Sequence, residues 1–285
     1  MIHPSAVVSP RAVLAADVRI GPFCIVEDDV ELGAGCILEA RAIVKRKTRM
    51  GRENHVYENT IIGGPPQHLQ PPTETGGVTI GARNVFRENG TVHCALKAGE
   101  NTVIGDDNFL MVGAHVAHDC VLGNHVIVTN NSLLAGHVTV GDRAYLSGGS
   151  AVHQFCRIGT LAMVGGQGHI TRDVPPYVTV DGLSSLVVGL NSVGLRRAGF
   201  LVDDVRTLKA AYRTLYRSGL PHEQLLAELQ RQFPDGPAAE FHRFLATSKR
   251  GIISERRPSP GAILKLRREE ETANGEARKA QPKVG

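Results

Sequence analysis

The sequence has no tryptophan, and aromatic residues make up only 5% of its 285 residues. A core with so few aromatic rings must be built from Val, Ile and Leu, and the 32 glycines indicate many tight turns. No apolar run approaches the roughly 18 residues of a membrane span, and the start, Met1-Ile2-His3-Pro4, does not look like a signal peptide. We therefore expect a soluble, cytoplasmic protein without a membrane span.

Paired cysteines are also missing. The five cysteines show no C-x-x-C pair and no zinc-finger spacing, so the sequence offers no pattern for a redox or structural zinc site. We expect free, reduced thiols. The cysteines are Cys24, Cys36, Cys94, Cys120 and Cys156.

Positive charge is concentrated near the C-terminus. The formal net charge is +4, and residues 191–285 hold 18 Lys and Arg against 11 Asp and Glu. From charge alone, such a region could bind nucleic acid, an anionic membrane or an acidic protein, or form a solvated helical face.

Aliphatic residues recur at every sixth position along most of the chain. The series runs from Ile2 to Ile62 and resumes in phase at Ile80 and from Ile104 to Ile170. Four residues after each aliphatic position stands a mostly small residue, a phase that includes four of the five cysteines and that we expect to point inward. A period of six is the hexapeptide signature of a parallel β-helix, in which three hexads form one coil of about 18 residues.

The repeat divides the chain into predicted domains. The fold class is mainly β: a parallel β-helix of hexapeptide repeats over residues 1–190, followed by a small C-terminal α-helical domain over residues 191–253. In this second domain apolar residues recur every three or four positions, which is the spacing of a helix. Within it, helices are predicted over 222–233 and 236–248. The charged, Pro- and Gly-rich residues 254–285 predict a disordered tail. Two polar stretches, residues 63–77 and 94–101, interrupt the repeat and predict loops.

Seven of the 12 histidines lie between residues 93 and 169, and none occupies an inward phase. Residues about 18 apart lie above one another on successive coils. Gly136 therefore lies over His118, and Gln154 over Gly136; the neighbouring His137 and His153 share the same edge. Polar side chains that converge beside a glycine backbone indicate a site.

Three segments around these histidines carry a family resemblance. GAHVAHDC at 113–120, LAGHV at 134–138 and AVHQFC at 151–156 resemble the UDP-N-acetylglucosamine 3-O-acyltransferases of lipid A biosynthesis, and the resemblance covers about residues 1–253. It implies a left-handed β-helix, a homotrimer, and transfer of an (R)-3-hydroxyacyl chain from acyl carrier protein to the 3-position of UDP-N-acetylglucosamine. It also implies no cofactor beyond the phosphopantetheine that carries the acyl group, and no nucleic-acid partner.

The resemblance assigns roles to individual residues. His118 matches the general base, Asp119 the carboxylate that orients it, and the backbone N–H of Gly136 the oxyanion donor. Because adjacent strand residues face opposite ways, the pairing of His118 with Asp119 requires a turn there. The positions that match substrate-binding residues are Gln67, His68, His93, His115, His137, His153, Gln154, Met163, Gly166, Asn191 and Arg197.

The chain departs from the family pattern near the acceptor. His68 and Gln70 stand where relatives usually carry Asp and Lys, Val193 replaces an acidic residue, and Ala198 replaces an arginine. An alternative acceptor is therefore a 3-amino UDP-sugar, which would take an amide-linked chain. Gly166 matches the end of the acyl groove, and its small size predicts a donor of about 14 carbons rather than about 10.

Two other classes of protein compete with this interpretation. One is a zinc enzyme of the γ-carbonic-anhydrase type, whose three histidines bind metal; the other is a non-catalytic scaffold. If the resemblance is correct, the basic C-terminal region has a candidate partner in acidic acyl carrier protein. The cations that would steer it are Arg196, Arg197, Lys209, Arg213 and Arg217.

Overall fold

Short β-strands, most of them two residues long, occupy residues 7–190 of the computed structural model, which describes residues 1–256. From residue 257 onward the predicted disordered tail lies outside the described residues. The strands are β1 (Val7–Val8), β2 (Val13–Leu14), β3 (Arg19–Ile20), β4 (Ile25–Val26), β5 (Glu31–Leu32), β6 (Ile37–Leu38), β7 (Ile43–Val44), β8 (Thr48–Met50), β9 (His55–Val56), β10 (Ile61–Gly64), β11 (Gly77–Ile80), β12 (Val85–Phe86), β13 (Thr91–His93), β14 (Asn101–Ile104), β15 (Phe109–Leu110), β16 (His115–Val116), β17 (Val121–Leu122), β18 (Ile127–Val128), β19 (Leu133–Leu134), β20 (Thr139–Val140), β21 (Tyr145–Leu146), β22 (Ala151–Val152), β23 (Arg157–Ile158), β24 (Met163–Val164), β25 (His169–Ile170), β26 (Val178–Val180) and β27 (Val187–Leu190).

These strands form three parallel sheets, because each strand generally pairs with the one three further along the chain. The first sheet has the order β1-β4-β7-β10-β13-β16-β19-β22-β25, the second β2-β5-β8-β11-β14-β17-β20-β23, and the third β27-β26-β24-β21-β18-β15-β12-β9-β6-β3. Val7 pairs with Ile25, so one coil consists of three hexads, as predicted. Only β26 and β27 pair antiparallel among the strands of the described chain.

The core lies between the three sheets and confirms the two inward phases. Val26 and Ile62 are 1% and 0% exposed, and Cys36 and Cys120 are completely buried. All five cysteines are free, and burial raises the pKa of the Cys120 thiol to about 12. Burial also raises the pKa of the Cys24, Cys36 and Cys156 thiols, so these four inward-facing cysteines fill space and are not nucleophiles.

The two predicted loops leave the coil at the same edge. The first lies between β10 and β11, and the second between β13 and β14. Both therefore connect the first sheet to the second, on neighbouring coils. We call this corner of the prism the loop edge.

Four α-helices follow the strands within residues 1–256: α1 (Ser192–Arg197), α2 (Val202–Arg217), α3 (His222–Gln232) and α4 (Ala239–Ala246). The two helices predicted over 222–233 and 236–248 are thereby confirmed. Tyr177 connects them to the β-helix, since its ring meets Phe200 and Phe241 at 5.8 and 5.9 Å between centroids. The predicted boundary at 190/191 falls between β27 and α1, while residues Met1–Ser254 form one compact unit. The two-domain division stays a prediction. No helix in this part of the chain has the length and apolar character needed to cross a membrane.

Candidate active site

His118 and Asp119 form a hydrogen-bonded pair in the turn after β16, at the loop edge. The His118 Nδ1–H donates to Asp119 Oδ2 at 2.7 Å, and the two side chains are only 12% and 8% exposed. Asp119 has φ 59°, in the left-handed region, and this provides the turn that the pairing requires. Because a carboxylate accepts the Nδ1 proton, His118 Nε2 carries the lone pair of the neutral ring.

Further groups converge on the Asp119 carboxylate. The Leu96 N–H, from the second loop, donates to its two oxygens at 3.3 and 3.2 Å. His137 Nε2 lies 3.7 Å from Asp119 Oδ2, and the rings of His118 and His137 meet edge to face at 5.2 Å. We call His118, Asp119 and His137 the His–Asp cluster.

Phe155 is a residue of the site that the sequence interpretation missed. Its ring stacks on His137 at 4.6 Å with an interplanar angle of 7°. The sequence repeat could have indicated this contact, because Phe155 follows His137 by one full coil of three hexads. The stack fixes the plane of the His137 ring, so that its nitrogen edge faces the Asp119 carboxylate.

Gly136 packs against the His118 ring as the repeat predicts. A Cβ at this position would lie 2.5 Å from His118 Cε1 and 2.8 Å from Nε2, so no larger residue fits without moving the imidazole. The missing side chain is what allows the backbone to approach the ring so closely.

The Gly136 N–H takes no part in the main-chain ladder of the described coils. Within residues 1–256 it has no hydrogen-bond partner. At the equivalent turn position, the Ala82 N–H donates to Asp106 Oδ1 at 2.8 Å, and the Asn124 N–H donates to Asp142 Oδ1 at 2.7 Å. At this turn position the N–H can thus reach an oxygen beyond its own coil, and at Gly136 the N–H is unpartnered in the described chain and lies beside a histidine.

His93 and His115 lie below the cluster on the first sheet. The His93 Nδ1–H donates to the Pro65 carbonyl at 2.6 Å and holds the base of the first loop; its ring meets that of His115 edge to face at 5.1 Å. His115 Nδ1 lies 2.8 Å from Thr91 Oγ1. Burial, with smaller effects of His93 and His118, lowers the pKa of His115 to about 4. His115 is therefore neutral near pH 7.

The first loop brings His68 to the cluster. Its ring meets that of His118 edge to face at 6.3 Å, although His68 and the adjacent Gln67 are exposed to solvent. His153 and Gln154 are also exposed, one coil beyond Gly136, and the His153 Nδ1–H donates to the Gln154 carbonyl at 3.1 Å.

Three further predicted residues surround a cavity at the third sheet: Met163 lies in β24, Asn191 directly after β27, and Arg197 at the end of α1. They line this cavity of about 700 Å³ together with Val193 and Ala198, two of the positions that depart from the family pattern. Part of the Asn191 side chain is engaged by the fold, because Oδ1 accepts the Gly194 N–H and Nδ2 donates to the Leu161 carbonyl.

Gly166 lies in the turn between β24 and β25, next to this cavity. A Cβ there would meet the Gly148 carbonyl at 3.4 Å and Ser147 Cβ at 3.9 Å, which are ordinary contacts. Ser147 also lines the cavity. A single chain thus separates the predicted residues into a histidine group at the loop edge and a second group on and beside the third sheet.

The His–Asp cluster also has the composition of a metal site. Among the described residues it is the one group of at least three such side chains whose ligand atoms all lie within 4.8 Å of one another. It is not the three-histidine set of the zinc alternative, since Asp119 is the third member. Its carboxylate already accepts hydrogen bonds from His118 and the Leu96 N–H.

The six-residue repeats and the histidine–carboxylate pair at their edge define a transferase of the hexapeptide-repeat class. A family model of bacterial transferase hexapeptide repeats matches residues 101–136, and one described as UDP N-acetylglucosamine O-acyltransferase, domain 2, matches residues 173–253. The chain belongs to the acyl-(acyl carrier protein)–UDP-N-acetylglucosamine O-acyltransferase family, so it is an acyltransferase rather than a scaffold or a carbonic anhydrase.

Similar proteins and solved structures support this family assignment. The chain is 43% identical over 254 residues to the enzyme of that name from Halorhodospira halophila, covering 88% of this chain and 98% of the relative. It is 39% identical to the one from Janthinobacterium, covering 89% and 99%. The UDP-N-acetylglucosamine O-acyltransferase structure from Moraxella catarrhalis matches with a TM-score of 0.86 at 38% identity, over 88% of this chain and 99% of that one. The Francisella novicida acyltransferase matches with 0.86 at 32%, over 90% and 94%. The predicted fold, a left-handed parallel β-helix followed by helices, is confirmed.

Proposed function

We propose that this protein transfers an (R)-3-hydroxyacyl chain from acyl carrier protein to the 3-hydroxyl of UDP-N-acetylglucosamine, the first step of lipid A synthesis. Family membership supports the substrates, since the named relatives carry both in their description. The observation that carries the chemistry is the His118–Asp119 pair packed beneath the unpartnered N–H of Gly136.

The reaction begins with a proton transfer. A sugar hydroxyl is a weak nucleophile near neutral pH, so His118 Nε2 takes its proton as the oxygen attacks the thioester carbonyl carbon. Asp119 stabilises the imidazolium through the Nδ1 hydrogen bond of 2.7 Å.

The tetrahedral intermediate then breaks down. Its oxyanion accepts the Gly136 N–H, which lies close to the His118 ring and is free to donate. As the carbonyl re-forms, the C–S bond breaks, and the proton on His118 passes to the departing phosphopantetheine sulfur. The products are the ester and the free thiol of the carrier protein, and no further cofactor is needed.

We propose that three copies assemble, so that the cavity on the third sheet of one copy faces the loop edge of its neighbour. The separation of the two residue groups within one chain supports this arrangement. Met163, Asn191 and Arg197 would then complete the substrate site beside the neighbouring copy's His–Asp cluster, with the Arg197 guanidinium suited to a phosphate. Gly166, beside the cavity, would leave room for a long acyl chain.

For acyl carrier protein we propose a docking site at α1 and α2. A cavity of about 370 Å³ there is lined by apolar residues that include Phe200 and Val205 and by the basic residues Arg196, Arg206 and Lys209. Such a surface suits an acidic protein that presents an amphipathic helix. This supports Arg196 and Lys209 as contacts, whereas Arg197 lines the cavity on the third sheet.

The test is a mass-spectrometric assay of acyl transfer from a panel of acyl carrier thioesters to UDP-N-acetylglucosamine and to its 3-amino analogue. We expect O-acylation, and we expect His118→Ala to lower kcat at least about 10²-fold while the assembly stays intact. His222→Ala, an exposed histidine at the start of α3, is the matched control. Wild-type turnover in His118→Ala would remove His118 as the base.

The same assay separates the two acceptors. Amide formation on the 3-amino sugar without ester formation would identify the alternative acceptor. We also expect the double variant His68→Asp with Gln70→Lys to bind UDP-N-acetylglucosamine more tightly in calorimetry, because it restores a carboxylate and a cation to the first loop. An unchanged affinity for UDP-N-acetylglucosamine would mean that this loop does not contact the nucleotide.

A further inference from the structure

Most turns of this β-helix share a main-chain hydrogen bond that Asp119 does not make. In most turns, the residue with left-handed φ donates its N–H to a main-chain carbonyl in the matching turn of the preceding coil, whereas Phe23 donates to the Ser5 hydroxyl at 3.0 Å. His125 donates to Asp106 O at 2.9 Å, and His137 donates to His118 O at 3.0 Å. This bond ties such a turn to the coil before it.

The carbonyl that Asp119 would use is not available. In the register of His125 with Asp106, the partner of Asp119 would be Glu100, which belongs to the second loop, and its carbonyl accepts the Gly77 N–H at 2.9 Å. The Asp119 N–H donates instead to Thr102 Oγ1 at 2.8 Å. Thr102 lies in β14 and is completely buried.

We infer that Thr102 is a positioning residue for the proposed reaction. Its hydroxyl replaces the missing carbonyl and anchors the backbone of Asp119 in the left-handed conformation. The Leu96 N–H, from the second loop, anchors the carboxylate. Together they hold Asp119 Oδ2 at 2.7 Å from His118 Nδ1. Because the second loop interrupts the coil, the Thr102 hydroxyl takes the place of the main-chain carbonyl that would otherwise accept the Asp119 N–H.

The inference rests on the proposed roles of His118 and Asp119, and it predicts a kinetic signature. Without the hydroxyl, the Asp119 N–H loses its partner, and the turn relaxes away from the imidazole. The carboxylate then stabilises the His118 imidazolium less, so kcat falls and the acid limb of its pH profile moves to lower pH. KM changes little, because Thr102 touches neither substrate.

The experiment compares Thr102→Val with Thr102→Ser in the acyl-transfer assay. We expect Thr102→Val to lower kcat about tenfold or more with KM within about twofold, whereas Thr102→Ser, which keeps the acceptor, stays within about threefold of wild type. Thr48→Val is the matched control. Thr48 is equally buried, occupies the same inward phase on the second sheet, and its Oγ1 has no partner within the described chain.

Folding is monitored by thermal melting. If Thr102→Val does not fold, Thr102→Cys replaces it, because sulfur is a weak acceptor and this inward phase already holds Cys120 and Cys156. Thr102→Cys is then expected to show the same loss of kcat and the same shift of the pH profile.

Two results would overturn the inference. One is a wild-type kcat and pH profile in the variant that lacks the hydroxyl; the other is an equal loss in Thr102→Ser, which would indicate packing rather than hydrogen bonding. His118→Ala, measured in parallel, distinguishes a failure of this inference from a failure of the proposed function. If it keeps wild-type turnover, the proposed function is wrong; if it loses turnover while the Thr102 variant does not, only the role of Thr102 is wrong.

Discussion

Gly136→Ala probes the packing between the glycine and the imidazole with a single methyl group. The added Cβ would lie 2.5 Å from His118 Cε1, whereas an ordinary contact begins at 3.4 Å, so the ring must retreat by about 0.9 Å. Misplacing a catalytic group by about 1 Å costs on the order of 10²-fold in rate. We therefore expect kcat to fall about 10²-fold while the Gly136 N–H itself remains in place.

The fold itself should tolerate the substitution. The equivalent turn position holds alanine at Ala16, Ala34 and Ala40, and Gly136 does not have a left-handed φ. We expect the melting temperature to stay within about 2 °C of wild type, which corresponds to less than about 1 kcal/mol for a chain of this size.

A double-mutant cycle tests whether the methyl group acts through His118. Steady-state kinetics of Gly136→Ala, His118→Ala and the double variant are compared, and we expect the methyl group to have no further effect once the imidazole is removed. A wild-type kcat in Gly136→Ala would refute the packing argument. A further loss in the double variant would show that the methyl group disturbs the oxyanion position instead.

Four other predictions follow from the site. Gly166→Met fills the open space beside the cavity, so the ratio of kcat/KM for a 14-carbon over a 10-carbon donor should fall; an unchanged ratio would place the end of the acyl chain elsewhere. His115 takes up its proton at about pH 4 in the folded protein but near 6.5 when unfolded, so its contribution to stability is present above pH 6.5 and is lost as the pH falls toward 4. Melting of His115→Asn should therefore depend less on pH across that window. His93→Asn keeps a donor where Nδ1 meets Pro65 and should retain more activity than His93→Gln, which mimics Nε2; the reverse order would indicate a substrate contact through Nε2. Chelator treatment should leave turnover unchanged and elemental analysis should find no stoichiometric metal, whereas loss of activity restored by zinc would make the His–Asp cluster a metal site.

Much of the architecture could be predicted from the sequence, because a repeat of six converts sequence separation into position. With three hexads in each coil, Gly136 must lie above His118, and His137 and His153 must lie near the same edge. The aliphatic and small phases point inward for the same reason, and the buried Cys36 and Cys120 confirm it. Periodicity alone carried this information, since the strands of a solenoid pair only with the neighbouring coils.

Where the repeat is interrupted, the separation along the chain no longer determines position, and only the tertiary structure decided the contacts. The hydrogen bonds from His93 to Pro65 and from Leu96 to Asp119 join loops to the edge they leave. The Thr102 hydroxyl supports Asp119 because the second loop takes the usual carbonyl away. These contacts depend on the path of the loop backbone, and neither hydrophobic period nor turn propensity specifies that path.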